Sequence, residues 1–323
     1  MVTGRVEVQA VLRARIAQLG DQGEQWLVGL PELIVELEQR WSITAGRPLT
    51  GGTASYVARA RTADGRGAVL KVETPDQDST RHVHTIADAQ GRGYVGLLAS
   101  DLPRRSMLLE ALGPAMSRLD LPAERMIAAL CRTLRQAWSV PHPAGLVVDP
   151  TLEKARGLGQ LVGRLWEELG RPCSAAVADQ AMLFSERRAG AFDLDRSVVV
   201  HGDPHPGNAL RVLRPRPGAE SGFVFVDPDG FLADPAYDLG VVLRDWCPQL
   251  LAGDAVSLAR RYCRLLASET GVDETAIWEW GFLERVSTGL FALQLGAEDL
   301  ARPFLATAER LTERLTKRRG AGT

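Results

Sequence analysis

The chain has 323 residues, of which 45% are hydrophobic and 24% charged, and its formal net charge is −2 at pH 7. This composition is typical of a globular protein with one large domain or two lobes. A net charge near zero, with arginines interspersed among acids, argues against nucleic acid as a partner. Because no uncharged apolar run approaches the roughly 20 residues that span a bilayer, we expect a cytoplasmic protein without membrane contacts.

The first half of the chain shows a helix followed by strands. Residues 24 to 41 carry apolar side chains at helical spacing, and Pro31 is suited to the first turn of such a helix. Between about 48 and 73 the pattern changes to two short strands, SYVARA and AVLKVE, which are joined by a turn at Asp64-Gly65. This segment therefore predicts a β-hairpin.

The rest of the chain is predicted to be mainly helical. Residues 76 to 90 favour a helix, and a short apolar run follows at 107–110. A second β-rich stretch near 198 to 230 interrupts later helical patterns, of which 256–268 and 275–315 are the clearest near the end. The four cysteines lack CxxC spacing, so we expect buried, reduced thiols rather than a zinc site or a disulfide framework.

The most informative segment is His201-Gly-Asp-Pro-His-Pro-Gly-Asn208, which follows three consecutive valines. Two prolines and two glycines in eight residues exclude a helix, so His201 and His205 are not paired metal ligands on one helical face. A strand that ends in such a loop presents its polar groups on a rigid support.

A second polar group follows an apolar strand. Residues 223–226 lead directly into Asp227, a carboxylate that is costly at the end of a buried strand unless a metal, a charge or hydrogen bonds satisfy it. Together Asp203, Asn208 and Asp227 supply two oxygen ligands for Mg²⁺ and one carboxylate to orient a hydroxyl nucleophile. The alternative is that HGD and DPDG are ordinary turns with capping acids.

Lys71 is the third informative position. Only three of the 38 basic residues are lysines, and Lys71 lies in the apolar strand Ala-Val-Leu-Lys-Val. Its ammonium needs an anionic partner, for which a nucleotide phosphate is suitable, unless the side chain reaches solvent at a sheet edge. The upstream turn containing Gly51, Gly52 and Thr53 would let backbone N–H groups approach phosphates, although this motif is weakly specific.

With these motifs the chain resembles the aminoglycoside phosphotransferase family of protein-kinase-like small-molecule kinases, in particular its streptomycin 6-phosphotransferase and hydroxyurea phosphotransferase branch. The resemblance runs from about Trp26 to Leu311. It rests on LPELIVELEQRW, GGTASYVARARTADGRGAVLKV, SMLLEALG, VVVHGDPHPGN and VDPDGFLADPAYDLG. It implies an α+β, protein-kinase-like two-lobe fold, with a small antiparallel-sheet N-lobe and a larger, mainly helical C-lobe.

The resemblance also implies roles for individual residues. Asp203 is implied as the catalytic base, Asn208 and Asp227 as magnesium ligands, and Lys71 as the ligand of the α and β phosphates. The backbone of Leu109, Glu110 and Ala111 is implied to be the hinge that receives adenine. Asp238 matches the acid that supports the catalytic loop near His201, although a helix N-terminal acid facing the helix dipole is an equal alternative.

Two positions depart from the family pattern. Kinase-like enzymes usually hold the lysine with a glutamate from the following helix, but the corresponding stretch, residues 81–86, contains none. Either Asp78 substitutes, or the phosphates alone hold Lys71. The extra acid Asp229 could bind a second metal or the substrate, or simply lie in solvent. His82 and His84 are interpreted as surface residues rather than metal ligands.

These observations predict an ATP- and Mg²⁺-dependent kinase that phosphorylates a hydroxyl of a small molecule, and the resemblance implies a cationic acceptor such as streptomycin. We expect residues 1–112 to form N-terminal helices and a nucleotide-binding lobe, and residues 113–323 to form the lobe with the catalytic loop and acceptor site. The protein would be a monomer or homodimer. Alternatives are a kinase of hydroxyurea, a sugar or a metabolite, or a nucleotide-binding pseudokinase. Candidate acceptor-binding acids are Asp234, Glu284, Glu298 and Asp299.

Overall fold

The structure is a computed structural model, which describes residues 8–50, 54–142 and 153–320. For Val11 and for residues 313–320 it describes the backbone alone. The N-lobe contains a five-stranded antiparallel sheet with strand order β1-β2-β3-β5-β4. Its strands are β1 (Ile43–Pro48), β2 (Ser55–Thr62), β3 (Gly67–Glu73), β4 (Leu97–Asp101) and β5 (Ser106–Glu110).

Helices cover both faces of this sheet. On one face, α2 (Gly20–Trp41), preceded by α1 (Ala10–Gln18), packs its buried leucines and Ile34 on Ala68, Leu70 and Val72 of β3. Since side chains alternate along a strand, the intervening Val69 faces α3 (Ser79–Ala89) on the other side. Lys71 and Glu73 therefore share the α3 face, which also borders the C-lobe.

The C-lobe is mainly helical, and one large apolar core unites it. Its longest buried element is α10, whose sequence is apolar nearly all round and is buried along most of its length. The helices are α4 (Ala123–Ala137), α5 (Lys154–Glu168), α6 (Ala175–Gly190), α7 (Ala236–Arg244), α8 (Cys247–Ala252), α9 (Ala255–Thr270), α10 (Glu274–Gln294) and α11 (Glu298–Gly320).

Two small antiparallel sheets lie between the lobes. One pairs β6 (Val198–Val200) with β9 (Phe231–Ala233), and the other pairs β7 (Ala209–Arg211) with β8 (Phe223–Phe225). The connections from β6 to β7 and from β8 to β9 contain the HGD and DPDG loops. The pairing therefore brings two polar loops, which are separated in sequence, to the boundary between the two lobes, which is called the cleft below.

The structure confirms the predicted fold class and hairpin, and corrects several details. Pro31 lies in the interior of α2 rather than in its first turn. The predicted helix at 275–315 is two helices, because Gly296 adopts a φ of 73° between α10 and α11. Strands β1 and β4 were not predicted. The four cysteines are buried and free, as expected. In the described part of the chain, no helix is long and apolar enough to cross a membrane.

Candidate active site

The HGD loop is fixed by one buried carboxylate. Asp238, in the first turn of α7, is fully buried. Its two oxygens accept hydrogen bonds from the backbone N–H groups of His201 and Gly202, each at 2.9 Å. The indole N–H of Trp138 donates to the same carboxylate at 2.9 Å. Burial raises the pKa of Asp238 to about 6, although these three hydrogen bonds oppose the rise.

His201 connects the two polar loops. Its Nε2 lies 2.9 Å from the carbonyl oxygen of Val226, and its Nδ1 accepts the backbone N–H of Asp203 at 3.1 Å. Tyr94 stacks on the ring with centroids 5.9 Å apart. Burial lowers the pKa of His201 to about 4, so the ring is neutral at pH 7. We therefore assign the proton to Nε2, and His201 orients the backbone of Asp203 rather than exchanging protons.

Asp203 presents its carboxylate to the cleft. The side chain is 42% exposed, and its Oδ1 accepts a hydrogen bond from Arg244 at 2.6 Å. His205 Nε2 lies 3.5 Å from the other oxygen. Burial would raise the pKa of Asp203, but the charge of Arg244 outweighs it and holds the pKa below its usual value. The carboxylate is therefore ionised at neutral pH.

Arg244 is a site residue that sequence reasoning missed. It ends α7, its side chain is 13% exposed, and it also contacts Glu284 at 3.1 Å and Asp245 at 3.5 Å. Burial disfavours the charged guanidinium, but the three carboxylates raise the pKa of Arg244 above its usual value. Only tertiary packing reveals this contact, since Arg244 lies 41 positions after Asp203 in the sequence.

Asn208 and Asp227 lie beside each other because β7 and β8 are paired. The N–H of Val226 donates to the Asn208 carbonyl oxygen at 2.9 Å. The side-chain nitrogen of Asn208 donates to the carbonyl oxygen of Asp203 at 3.0 Å, so the side-chain oxygen is the atom suited to a metal. Asp227 has a φ of 59°, a left-handed conformation that is uncommon outside glycine and that recurs at functional sites.

These two oxygen side chains fit Mg²⁺, which proteins usually hold with one or two carboxylates together with phosphate oxygens and water. Among the described residues, no group of three or more His, Cys, Asp or Glu side chains could hold a metal ion on its own. A metal at Asn208 and Asp227 would therefore need further oxygens from a bound nucleotide. This dependence matches the chemistry of phosphoryl transfer.

Lys71 contacts Asp227 across the cleft. Their Nζ and Oδ1 atoms are 2.7 Å apart, and the Asp227 side chain is 51% exposed while that of Lys71 is 8% exposed. Burial opposes the charge on Lys71, but Asp227 and Glu73 outweigh it and raise the pKa of Lys71. Burial likewise opposes ionisation of Asp227, but Lys71 holds the pKa of Asp227 below its usual value. The structure thus brings Lys71 to the same place as the HGD and DPDG loops.

The residue that holds Lys71 is neither of the expected ones. Glu73 Oε1 lies 2.9 Å from Lys71 Nζ and 2.9 Å from His82 Nδ1. Asp78 instead caps α3 by accepting the N–H of Thr80, so its assignment as a substitute is wrong. The surface interpretation of His82 is also wrong, because its side chain is 11% exposed. The spacing of Lys71 and Glu73, two residues apart in one strand, could have revealed this pair from the sequence.

The hinge residues predicted for adenine lie where the sheet leads into the C-lobe. Leu109 is buried opposite Val69, and Glu110 ends β5. The Glu110 carboxylate is itself engaged, because it accepts the N–H of Gly96 at 2.8 Å and pairs with Arg216. Ala111 follows directly. The Gly-rich turn with Gly51, Gly52 and Thr53 lies outside the described residues.

The acids considered for the acceptor are in different environments. Asp229 is exposed, and its backbone N–H donates to the His201 carbonyl oxygen at 2.7 Å. Partial burial, with Asp203 and Glu284 contributing, raises the pKa of Asp229. Asp234 accepts the N–H of Ala236 at the start of α7 at 2.9 Å, and its other carboxylate oxygen lies 3.9 Å from Arg188. Glu284 reaches the HGD loop through Arg244. Glu298, in the first turn of α11, pairs with Arg302, and Asp299 is exposed beside Glu298.

The chain matches characterised proteins over nearly its whole length. Residues 40–296 match the family described as aminoglycoside/hydroxyurea antibiotic resistance kinase. A streptomycin 6-kinase from Streptomyces glaucescens is 29% identical over 316 residues, which is 95% of this chain and 97% of that protein. A hydroxyurea phosphotransferase from Kitasatospora aureofaciens is 27% identical over 319 residues, 96% of this chain and 87% of that protein.

A solved structure shares the fold. The spectinomycin phosphotransferase in complex with ADP and spectinomycin superposes with a TM-score of 0.54 at 15% identity, covering 87% of this chain and 93% of that one. At this identity the likeness shows the architecture alone. It agrees with the sheet-containing N-lobe and the helical C-lobe described above.

Proposed function

The chain belongs to the aminoglycoside/hydroxyurea antibiotic resistance kinase family, and on this premise we propose that it transfers the γ-phosphoryl group of ATP to a hydroxyl of streptomycin or a related aminocyclitol. The observation that carries the proposal is the ionised, cleft-facing Asp203 beside the Lys71–Asp227 ion pair. The name of the relative from Streptomyces glaucescens supports streptomycin as the first acceptor to test.

Asp203 is the proposed base. Its exposed carboxylate would accept a hydrogen bond from the acceptor hydroxyl and orient the oxygen toward the γ-phosphorus. As the new P–O bond forms and the bond to the leaving ADP oxygen breaks, the hydroxyl proton would pass to Asp203. His201 supports this role by fixing the Asp203 backbone, and Asp238 by fixing that of His201 and Gly202.

The opposite side of the cleft would hold the phosphates. Lys71 would bind the α- and β-phosphate oxygens, and the oxygens of Asn208 and Asp227 would hold Mg²⁺. When bound, the metal supplies positive charge that stabilises the phosphate oxygens during transfer. The backbone of residues 109–111 would receive the adenine. A cationic acceptor fits the exposed Asp229 near Asp203, where one further positive charge would be stabilised.

Measurement of ADP release tests this proposal. The purified protein is given ATP and Mg²⁺ with streptomycin, spectinomycin, hydroxyurea or no acceptor, and products are analysed by mass spectrometry for an added phosphoryl group. Asp203→Ala should abolish turnover while nucleotide binding persists. Asp195→Asn, which changes an exposed acid in the short turn before β6, should retain wild-type turnover.

The acceptor that supports turnover decides between the alternatives. Phosphorylation of streptomycin, together with streptomycin tolerance in a host that expresses the chain, would support the proposal. Turnover of hydroxyurea alone would keep the kinase chemistry and overturn the acceptor, an outcome that the 27% identity to a hydroxyurea phosphotransferase makes worth testing. Nucleotide binding without turnover of any acceptor would favour a pseudokinase.

A further inference from the structure

The buried cluster at Lys71 contains two side chains that the proposed reaction does not use. Glu73 Oε1 accepts from both Lys71 Nζ and His82 Nδ1, each at 2.9 Å. The side chains of Lys71, Glu73 and His82 are 8%, 5% and 11% exposed. Because an unpaired buried charge is strongly unfavourable, the buried ammonium of Lys71 and the buried carboxylate of Glu73 stabilise each other.

The two carboxylates that contact Lys71 differ in exposure and in proposed role. Asp227 belongs to the C-lobe, is 51% exposed, and is the side chain proposed to hold a metal. Its charge would then be shared between the metal and Lys71. Glu73 is buried beside Lys71, with 5% of its side chain exposed, and is not one of the groups proposed to hold the metal or the phosphates. It is therefore the carboxylate whose contact with the ammonium does not depend on what binds in the cleft.

The backbone around Glu73 is held on several sides. In β3, Lys71 is paired with Val57 of β2 and Met107 of β5. The Glu73 N–H donates to the Arg105 carbonyl oxygen at 2.9 Å, and its own carbonyl oxygen accepts the indole N–H of Trp26 at 3.0 Å. Because residues i and i+2 of a strand point to the same side of the sheet, this backbone places the side chains of Lys71 and Glu73 next to each other.

Helix α3 contacts this pair through a histidine. Its sequence, Ser-Thr-Arg-His-Val-His-Thr-Ile-Ala-Asp-Ala, contains no glutamate. His82 Nδ1 donates to Glu73, and a ring nitrogen used in this way cannot also accept from Lys71 Nζ, which lies 3.4 Å from it. The helix therefore reaches the lysine through its carboxylate partners, closely through Glu73 at 2.9 Å and more distantly through Asp227, whose Oδ1 lies 3.8 Å from His82 Nε2.

We propose that Glu73 is the positioning residue for Lys71, and that His82 couples α3 to Glu73. The carboxylate that other kinase-like folds supply from the helix is supplied here by the lysine's own strand. This inference rests on the proposed function, since it takes Lys71 as the residue that binds the nucleotide phosphates.

Relocation of the carboxylate provides the test. We compare the wild type with Glu73→Gln, His82→Ala and the double variant Glu73→Gln/His82→Glu, which moves the carboxylate from the strand to the helix. The control is Asp78→Asn, because Asp78 is an acid at the start of the same helix that caps Thr80 and does not contact Lys71 in the structure. The dissociation constant for Mg·ATP is measured by calorimetry without acceptor, and KM and kcat are measured for both substrates.

Glu73→Gln should weaken ATP binding and lower kcat by about 10- to 100-fold, the range found when a residue that orients a metal ligand is mutated. His82→Ala should have a smaller effect in the same direction. KM for the acceptor should stay unchanged in both. The double variant should recover about tenfold of the loss in ATP affinity, a rescue that a merely structural role would not produce. Asp78→Asn should match the wild type.

Wild-type ATP affinity in Glu73→Gln, an equal loss in Asp78→Asn, or a folded double variant without recovery would each overturn the proposal. Thermal unfolding of every variant shows which ones are folded. If Glu73→Gln does not fold, Glu73→Asp, which withdraws the carboxylate from Lys71, should still raise the dissociation constant for ATP. Since ATP binding is measured without acceptor, failure of this inference remains distinct from failure of the proposed function.

Discussion

Two cation–carboxylate pairs border the cleft, and they are used in opposite ways. In the N-lobe the cation of Lys71 is proposed to touch the nucleotide, and the carboxylate of Glu73 supports it. In the C-lobe the carboxylate of Asp203 is proposed to touch the acceptor, and the guanidinium of Arg244 supports it. In both pairs the supporting group is closed to water, with exposures of 5% for Glu73 and 13% for Arg244.

The two pairs share a buried supporting group, and the comparison shows what this burial achieves for groups of opposite charge. In a poorly solvated site a charge acts strongly on its neighbour, so it can fix both the position and the protonation state of that neighbour. The group proposed to contact a substrate, here called the working group, can then be a cation or a carboxylate, depending on which substrate it binds. The two pairs also differ in exposure of the working group, since Asp203 is 42% exposed and Lys71 only 8%.

The largest expected effect is on the base. Asp203→Asn should lower kcat by about 10²- to 10⁴-fold, the contribution of a positioned general base. The amide cannot accept the acceptor's proton, but it leaves the nucleotide side of the cleft unchanged. Steady-state kinetics together with ADP binding check this. If Asp203→Asn loses ADP binding as well as kcat, the Asp203–Arg244 pair is not independent of the Lys71–Glu73 pair.

Removal of the buried cation should cost the most stability. Lys71→Met leaves Glu73 and Asp227 facing each other without a positive charge. Because breaking a buried ion pair from one side typically costs about 3–5 kcal/mol, the free energy of unfolding in urea should fall by about that amount. Adding Glu73→Gln should restore part of it. The partly exposed Asp203, changed to Asn, should lose less than about 1 kcal/mol.

His201, which orients the backbone of Asp203, should make the free energy of unfolding depend on pH in the acidic range. His201 has a pKa of about 4 in the folded protein against about 6.5 when unfolded, so below pH 6.5 the unfolded chain binds more protons. The stability contributed by neutral His201 is therefore complete above pH 6.5 and is lost as pH falls toward 4.

A comparison with His201→Gln isolates this contribution. The difference in free energy of unfolding between the wild type and this variant should rise by up to about 3 kcal/mol from pH 4 to pH 7. Asp238, whose raised pKa gives the opposite slope, is present in both proteins and so largely cancels. A difference that does not change with pH would mean that His201 is not held neutral by burial.

The smallest expected effect is a shift of the pH profile. Arg244→Gln removes the charge that lowers the pKa of Asp203, so that pKa should rise. The acidic limb of the kcat profile should then move by about one pH unit to higher pH. Arg244→Lys, which keeps a positive charge, should give a smaller shift. An unmoved limb in Arg244→Gln would show that Arg244 does not set the ionisation of Asp203.

Local patterns predicted the parts of the fold that depend on neighbouring residues. The β2–β3 hairpin, α3 and the β-rich stretch around the HGD loop follow from alternation, turn residues and helical spacing. The helices α10 and α11 were merged because both carry apolar side chains at helical spacing, and the break at Gly296 is a single left-handed residue. Edge strands β1 and β4 carry little apolar alternation and were missed.

The site was predictable only where residues adjacent in sequence create it. The HGD loop and Asp227 could be recognised from proline, glycine and strand patterns. Arg244 could not, because packing of α7 against the loop brings it to Asp203. His82 was interpreted as a surface residue because two histidines without a third ligand nearby are more often exposed, whereas its burial is decided by where α3 docks. Glu73 lies two residues from Lys71 in the same strand, a spacing from which their contact could have been predicted.

The position of Glu73 also bears on how such an enzyme could be regulated. When the carboxylate that positions the lysine lies on a helix, the ion pair joins two separate elements. A movement of that helix away from the sheet then breaks the ion pair and can inactivate the enzyme. Here both charges lie on a single strand, and the sheet fixes their backbone. A shift of α3 would weaken the contact between His82 and Glu73 but would leave the ion pair between Lys71 and Glu73 intact. The protein would therefore be active without a separate activation step.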